Sequence, residues 1–101
     1  VTSLKRVDDL PQVPTIAESG YKGFEAVTWF GVLGPAKLPP DITAPPNAEI
    51  NTALQTPELK KKLGDQGADV AGSTPEQFGK LVRDDMARWG VVVRESGAKI
   101  D

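Results

Sequence analysis

The chain has no cysteine and no histidine among its 101 residues. Without cysteine it can form no disulfide, no thiolate metal site and no cysteine nucleophile. The missing histidine removes the usual general base, the Ser-His-Asp triad and the commonest transition-metal ligand. An excess of positive charge is also lacking. Twelve Lys and Arg stand against 14 Asp and Glu, a net charge of −2, whereas a nucleic-acid surface needs clustered cations. No apolar run is long enough to span a bilayer. The sequence opens on Val1 with neither a methionine nor a signal-peptide pattern, and VTSLKR reads as the tail of a strand begun earlier. The expectation is therefore a piece of a longer protein. A chain of this length supports one small domain with one modest core.

What is present centres on Phe24 to Pro40, FEAVTWFGVLGPAKLPP, the one long apolar run. Phe24, Ala26, Phe30 and Val32 alternate with Val27, Trp29 and Leu33, so both faces are apolar, as in a strand buried on both sides. Val, Thr, Trp and Phe favour a pleated backbone. Gly34-Pro35 ends the run, and Pro39-Pro40 keeps the chain extended. Such a strand needs neighbours, and the rest of the chain offers few. Val1 to Ser3 and Ala68 to Ala71 are the only other β-favouring scraps.

Helical signals follow. Ile50, Ala53 and Leu54 share a face, but Pro45-Pro46 cannot lie inside a regular helix. The expected start is therefore Pro45 or Pro46, with Asp41 to Ala44 as a separate turn. Thr56-Pro57-Glu58 opens a short helix that buries Leu59 and Leu63 and stops at Gly64. Thr74-Pro75-Glu76-Gln77 is a capping box with proline at N1. The stripe Phe78, Leu81, Val82, Met86, Trp89, Val92 and Val93 then predicts a helix of some 22 residues, about 33 Å, ending near Gly97. Upstream, Thr15 to Ser19 forms one turn, with Gly20 as a left-handed cap.

Little in the chain can carry chemistry. Asp8-Asp9 and Asp84-Asp85 are paired carboxylates, but neighbours on a helix point about 100° apart and cannot converge on one ion. Lys60-Lys61-Lys62 reads as a solvated helix face beside Glu58 and Asp65. Gly31 and Gly34 have no lysine or serine at P-loop spacing. Ser19 has no base nearby. Trp89 belongs to the helix stripe and reads as core. Trp29 also reads as core first, but its strand runs toward a glycine-bracketed end where a ligand could approach. The residues themselves give an α/β piece without catalytic equipment, metal site or cofactor motif.

The run Val13 to Gly31, VPTIAESGYKGFEAVTWFG, together with Ala87 to Gly97, ARWGVVVRESG, closely resembles one family. It is the Bug family, the substrate-binding proteins of tripartite tricarboxylate transporters. The resemblance covers the whole chain but only the last third or so of a full member. It implies a non-enzymatic periplasmic receptor of the two-lobed type II binding-protein fold. Such a receptor captures a small carboxylate between its lobes and delivers it to a membrane permease. Residues 1–23 would then end a second-lobe segment, and 24–34 would be the strand returning to the first lobe. Residues 35–101 would be the helical C-terminal part of that lobe. Thr28 and Trp29, beside the expected hinge, are the ligand-contact candidates, and the upstream part of its own chain would be the main partner. Ala44-Pro45-Pro46 departs from the family's unbroken helix at that place. A second reading, from the residues alone, is a non-catalytic interaction module that self-associates as a strand-swapped homodimer.

Overall fold

The computed structural model describes residues 1–99. They form two compact units, Val1–Leu33 and a second that begins at Gly34.

The second unit is built from three helices, α1 (Pro40–Leu54), α2 (Pro57–Gly64) and α3 (Pro75–Ser96). The longest follows the sequence signals closely. The Thr74 hydroxyl accepts from the Gln77 amide, and the Gln77 side chain accepts from the Thr74 amide at 2.9 Å. Two orphan donors of the first turn are thereby satisfied. Pro75 takes N1, where its missing N–H costs little. At the other end Gly97 adopts φ 68°, a left-handed cap that a side chain would strain. The helix runs for 22 residues, as its stripe predicts.

Helix α1 departs from expectation. It does not begin at Pro45 or Pro46, and residues 41–44 are not a separate turn; it is continuous from Pro40 with both prolines inside. The reason lies in its first turn. The amides of Ile42 and Thr43 both donate to the Pro39 carbonyl, at 3.0 and 3.2 Å. The Thr43 hydroxyl adds a bond to the Pro40 carbonyl at 3.2 Å. The turn is therefore closed before the prolines are reached. The carbonyls that residues 45 and 46 would have served belong to Asp41 and Ile42, both exposed. Water can satisfy them, so the helix tolerates the gap, at a cost in propensity.

Helix α2 starts at the expected place but differently. Thr56 occupies the N-cap without a side-chain cap bond, its hydroxyl donating instead to the Ala53 carbonyl at 2.7 Å. Leu59 and Leu63 are only half-buried. Lys62 pairs with Glu58 and Lys61 with Asp65, each one turn apart on the solvated surface. The loop before α3 is tied to α1 by two amides. Asn47 and Asn51 both donate through Nδ2 to the Ser73 carbonyl, at 2.9 and 3.0 Å. A Cβ at Gly72 would crowd the Asn51 side chain, which would have to shift from these bonds.

In the first unit the turn at Thr15 to Gly20 is present, with the Ser19 amide donating to the Thr15 carbonyl at 3.2 Å and Gly20 at φ 115°. The long apolar strand is not. Among the described residues there is no strand, neither over 24–34 nor at Ala68 to Ala71. One backbone bond from another segment reaches the apolar run, from the Ala26 amide to the Thr2 carbonyl at 2.9 Å. A strand is defined by a ladder of such bonds, and no ladder forms over 24–34. The strand-swapped dimer, which needed that strand, loses its pairing element.

The same shortage appears in the side chains. No hydrophobic residue among those described is buried. Phe30 is 91% exposed, Val32 75% and Leu33 76%. On α3, Trp89 is not a core residue as its place in the stripe suggests. It is 37% exposed, and Met86, on the same stripe, is 72% exposed. The apolar pattern is real, but among the described residues it leaves no hydrophobic side chain fully buried.

Candidate functional site

Polar organisation in the first unit gathers around Thr15, the one residue buried among those described, at 1% exposure. Thr15 and Glu18 have the Thr-x-x-Glu spacing of a capping box, which locks a single turn as it locks a helix start. The Glu18 amide donates to the Thr15 hydroxyl at 3.0 Å, and the Thr15 amide donates to Glu18 Oε2 at 2.8 Å. Ser19 Oγ donates to the Thr15 carbonyl at 2.9 Å.

Arg6 closes the cluster from a distant stretch of chain. Its Nε donates to both carboxylate oxygens of Glu18, at 3.2 and 3.0 Å. Its Nη1 donates to the Pro11 carbonyl at 2.9 Å, so one guanidinium holds both the loop and the turn. The turn is tied in addition to the start of the chain. The Val1 nitrogen donates to the Pro14 carbonyl at 2.8 Å, and the Ile16 amide donates to the Val1 carbonyl at 3.0 Å.

The Thr15 amide, first, and the Arg6 guanidinium, second, hold the Glu18 carboxyl below its ordinary value of 4.5. A carboxylate lowered in this way stabilises the fold above its unfolded pKa. That contribution is lost as pH falls through the lowered folded value. In an acid titration followed by NMR, the Thr15 amide resonance is expected to move with a midpoint below 4.5. Glu18→Gln is expected to abolish the step. A midpoint at or above the ordinary value would contradict the geometry.

Thr28 and Trp29 lie in the irregular run beyond Ala26, and both are exposed, Trp29 to 37%. Chemically they offer one hydroxyl and one indole face. The acidic pairs behave differently from a metal site. Asp84 pairs with Lys80, and Asp85 pairs with Arg88 at 2.7 Å, so the two carboxylates turn to cations in opposite directions along α3. Among the described residues no group of three His, Cys, Asp or Glu comes together around a point where a metal ion could sit. The Arg88 guanidinium also lies 5.2 Å from the Trp89 ring.

Sequence reasoning saw the turn at Thr15 but missed Arg6 and Glu18. The Thr-x-x-Glu spacing was a usable local signal for Glu18. Nothing in the sequence marks Arg6, whose partner is 12 residues away.

Comparison with known proteins places these observations in a family. The tripartite tricarboxylate transporter family receptor matches residues 1–98. Protein BugT of Bordetella pertussis is 40% identical over 100 residues, which cover 99% of this chain and 31% of that protein. A UPF0065 protein from the tcbD-tcbE intergenic region of Pseudomonas sp. strain P51 is 42% identical over 94% of this chain and 29% of its own. A further UPF0065 protein, from the clcB-clcD intergenic region of Pseudomonas knackmussii, is 39% identical over 92% of this chain and 56% of its own. The chain thus spans about a third to a half of the relatives it matches. Among solved structures, an R. palustris protein with adipate superposes with a TM-score of 0.76 at 33% identity. That likeness covers 95% of this chain and 32% of the other.

Proposed function

Because the chain belongs to the tripartite tricarboxylate transporter family of receptors, we propose that it is part of a periplasmic solute-binding protein. The whole protein captures a small carboxylate between two lobes and hands it to a membrane permease without chemical change. The observation that carries this reading is the family match across residues 1–98. The relative with adipate, a dicarboxylate, supports the ligand class.

The residue chemistry is compatible with capture rather than turnover. No histidine or cysteine is available as base or nucleophile. Carboxylates can be held by backbone amides at helix starts, but α3 does not offer its start. There the capping box already uses the Gln77 amide. Ligand-holding amides are therefore expected at loops other than the start of α3. From this chain the contacts we assign are Thr28, by its hydroxyl, and Trp29, by its ring. Both lie in the segment 24–34, which on this reading crosses between the lobes.

Calorimetric titration with adipate tests the proposal on two samples, the 101-residue chain and a receptor of the relatives' length that contains it. Saturable binding by the longer chain and none by the shorter is expected. In the longer chain, Trp29→Ala is expected to weaken binding about fivefold or more, as for an aromatic anchor. Saturable binding by the 101 residues alone would contradict a cleft made of two lobes.

A further inference from the structure

Directly after the turn at Thr15 the chain makes a second, tighter one over Tyr21-Lys22-Gly23-Phe24. The Phe24 amide donates to the Tyr21 carbonyl at 3.0 Å, which closes it. Gly23, at its third position, has φ 75°, as a type II turn demands. Gly20, on the other side of the Tyr-Lys pair, has φ 115°. A Cβ at either glycine would meet nothing within 4 Å, so the backbone, not crowding, calls for glycine there. Tyr21 and Lys22 are thus set between two left-handed residues. Both are exposed, Tyr21 to 70%. Their base is firm. The Ile16 carbonyl accepts from the Ser19 amide at 3.1 Å and from the Tyr21 amide at 3.4 Å. Glu18 and Ser19 are in turn bonded to Thr15.

We propose that Tyr21 and Lys22 form a docking tip for a partner protein, and that this partner is the membrane permease. The assignment rests on the receptor reading of the function. Contact residues are commonly carried on loops held by a rigid base, and this tip has one. A tyrosine brings a large ring with only two side-chain torsions to fix, which makes it a frequent anchor of protein interfaces. Lys22 adds a point charge beside it. The complementary surface is therefore an apolar recess with a carboxylate at its rim. The Tyr21 hydroxyl separates this residue from Phe30, Val32 and Leu33. Those three are wholly apolar and suit burial within the receptor, whereas Tyr21 has a polar end that suits a surface wet until its partner arrives. A lipid surface fits the tip less well. One lysine and one tyrosine make a weak membrane anchor, and the chain carries a net charge of −2.

The test uses the receptor of the relatives' length, the permease in lipid nanodiscs, and empty nanodiscs of the same lipid. Hydroxyl-radical footprinting of the receptor alone is expected to label Tyr21, and the permease discs to protect it. A Tyr21 already shielded in the receptor alone overturns the proposal. Wild type is expected to bind the permease discs and not the empty ones. Tyr21→Ala is expected to weaken that binding about tenfold or more, as for an interface anchor. Lys22→Glu is expected to weaken it about two- to fivefold, the span of an exposed charge contact. Adipate affinity, read by calorimetry, is expected to be the same in both variants as in wild type. Permease binding undiminished in both variants overturns the docking tip and leaves the receptor reading standing. Equal binding to empty discs, lost in the same variants, overturns it in favour of a lipid surface. Loss of adipate binding in Tyr21→Ala would mean a disturbed fold. Lys22→Glu, which keeps Tyr21 in place, then decides by the same comparison. A wild-type receptor that binds neither adipate nor permease overturns the receptor reading, and the docking tip with it.

Discussion

In a receptor of the relatives' length, Phe30→Ala is expected to lower stability by about 3–5 kcal/mol, the cost of emptying a packed aromatic site. In the 101-residue chain the same change is expected to move stability by no more than about 0.5 kcal/mol, because Phe30 is 91% exposed there. The contrast follows from where the apolar surface lies. Phe30, Val32 and Leu33 form a run that nothing in the first unit covers. On the proposed reading this run is the segment that crosses between the lobes, and the rest of the receptor covers its apolar side chains. Urea unfolding of the two wild-type and two variant proteins measures it. Equal losses in both contexts would mean that Phe30 packs within these residues alone.

The second large effect is expected at α1. Replacing Pro46 with alanine should stabilise the helix by up to about 3 kcal/mol, the propensity gap between proline and alanine in a helix interior. Pro46 lies a full turn beyond the start at Pro40, too far in for the N-terminal exemption that suits Pro75. Alanine restores an amide that can donate to the Ile42 carbonyl, and it relieves the crowding of the preceding turn. Pro45→Ala acts in the same way on the Asp41 carbonyl. The gain is read as a higher urea midpoint and as slower amide exchange over residues 47–54. No change would indicate that the helix begins at Pro45 or Pro46, as the sequence pattern alone suggests.

How much of this was legible in the sequence depends on the range of each interaction. Helix α3 was readable because its determinants are local. Thr74 and Gln77 are three residues apart, the stripe repeats within one segment, and Gly97 needs no partner to favour a positive φ. The run from Phe24 to Leu33 was misread for the opposite reason. Its residue types favour a strand, but a strand exists only through a ladder to a second chain segment, and the bond from Ala26 to Thr2 is not extended into one. In α1 a sound local rule against internal proline lost to a first turn already closed on Pro39. Glu18 had a local signal in the Thr-x-x-Glu spacing, whereas Arg6 depends on a contact across 12 residues that no periodicity encodes. The family resemblance, carried by Val13 to Gly31 and Ala87 to Gly97, was readable because it is a property of the sequence itself. Thr28 and Trp29 came with that resemblance, and their role depends on the ligand-binding test.

The most direct measurement is complementation in trans. The 101-residue chain is mixed with the separately produced remainder of a receptor of the relatives' length, and association and adipate binding are followed by calorimetry. The account predicts a one-to-one complex that binds adipate when neither part does so alone, with protection from amide exchange appearing at Phe30, Val32 and Leu33. No association, with those three amides as open in the mixture as in the isolated chain, would contradict it.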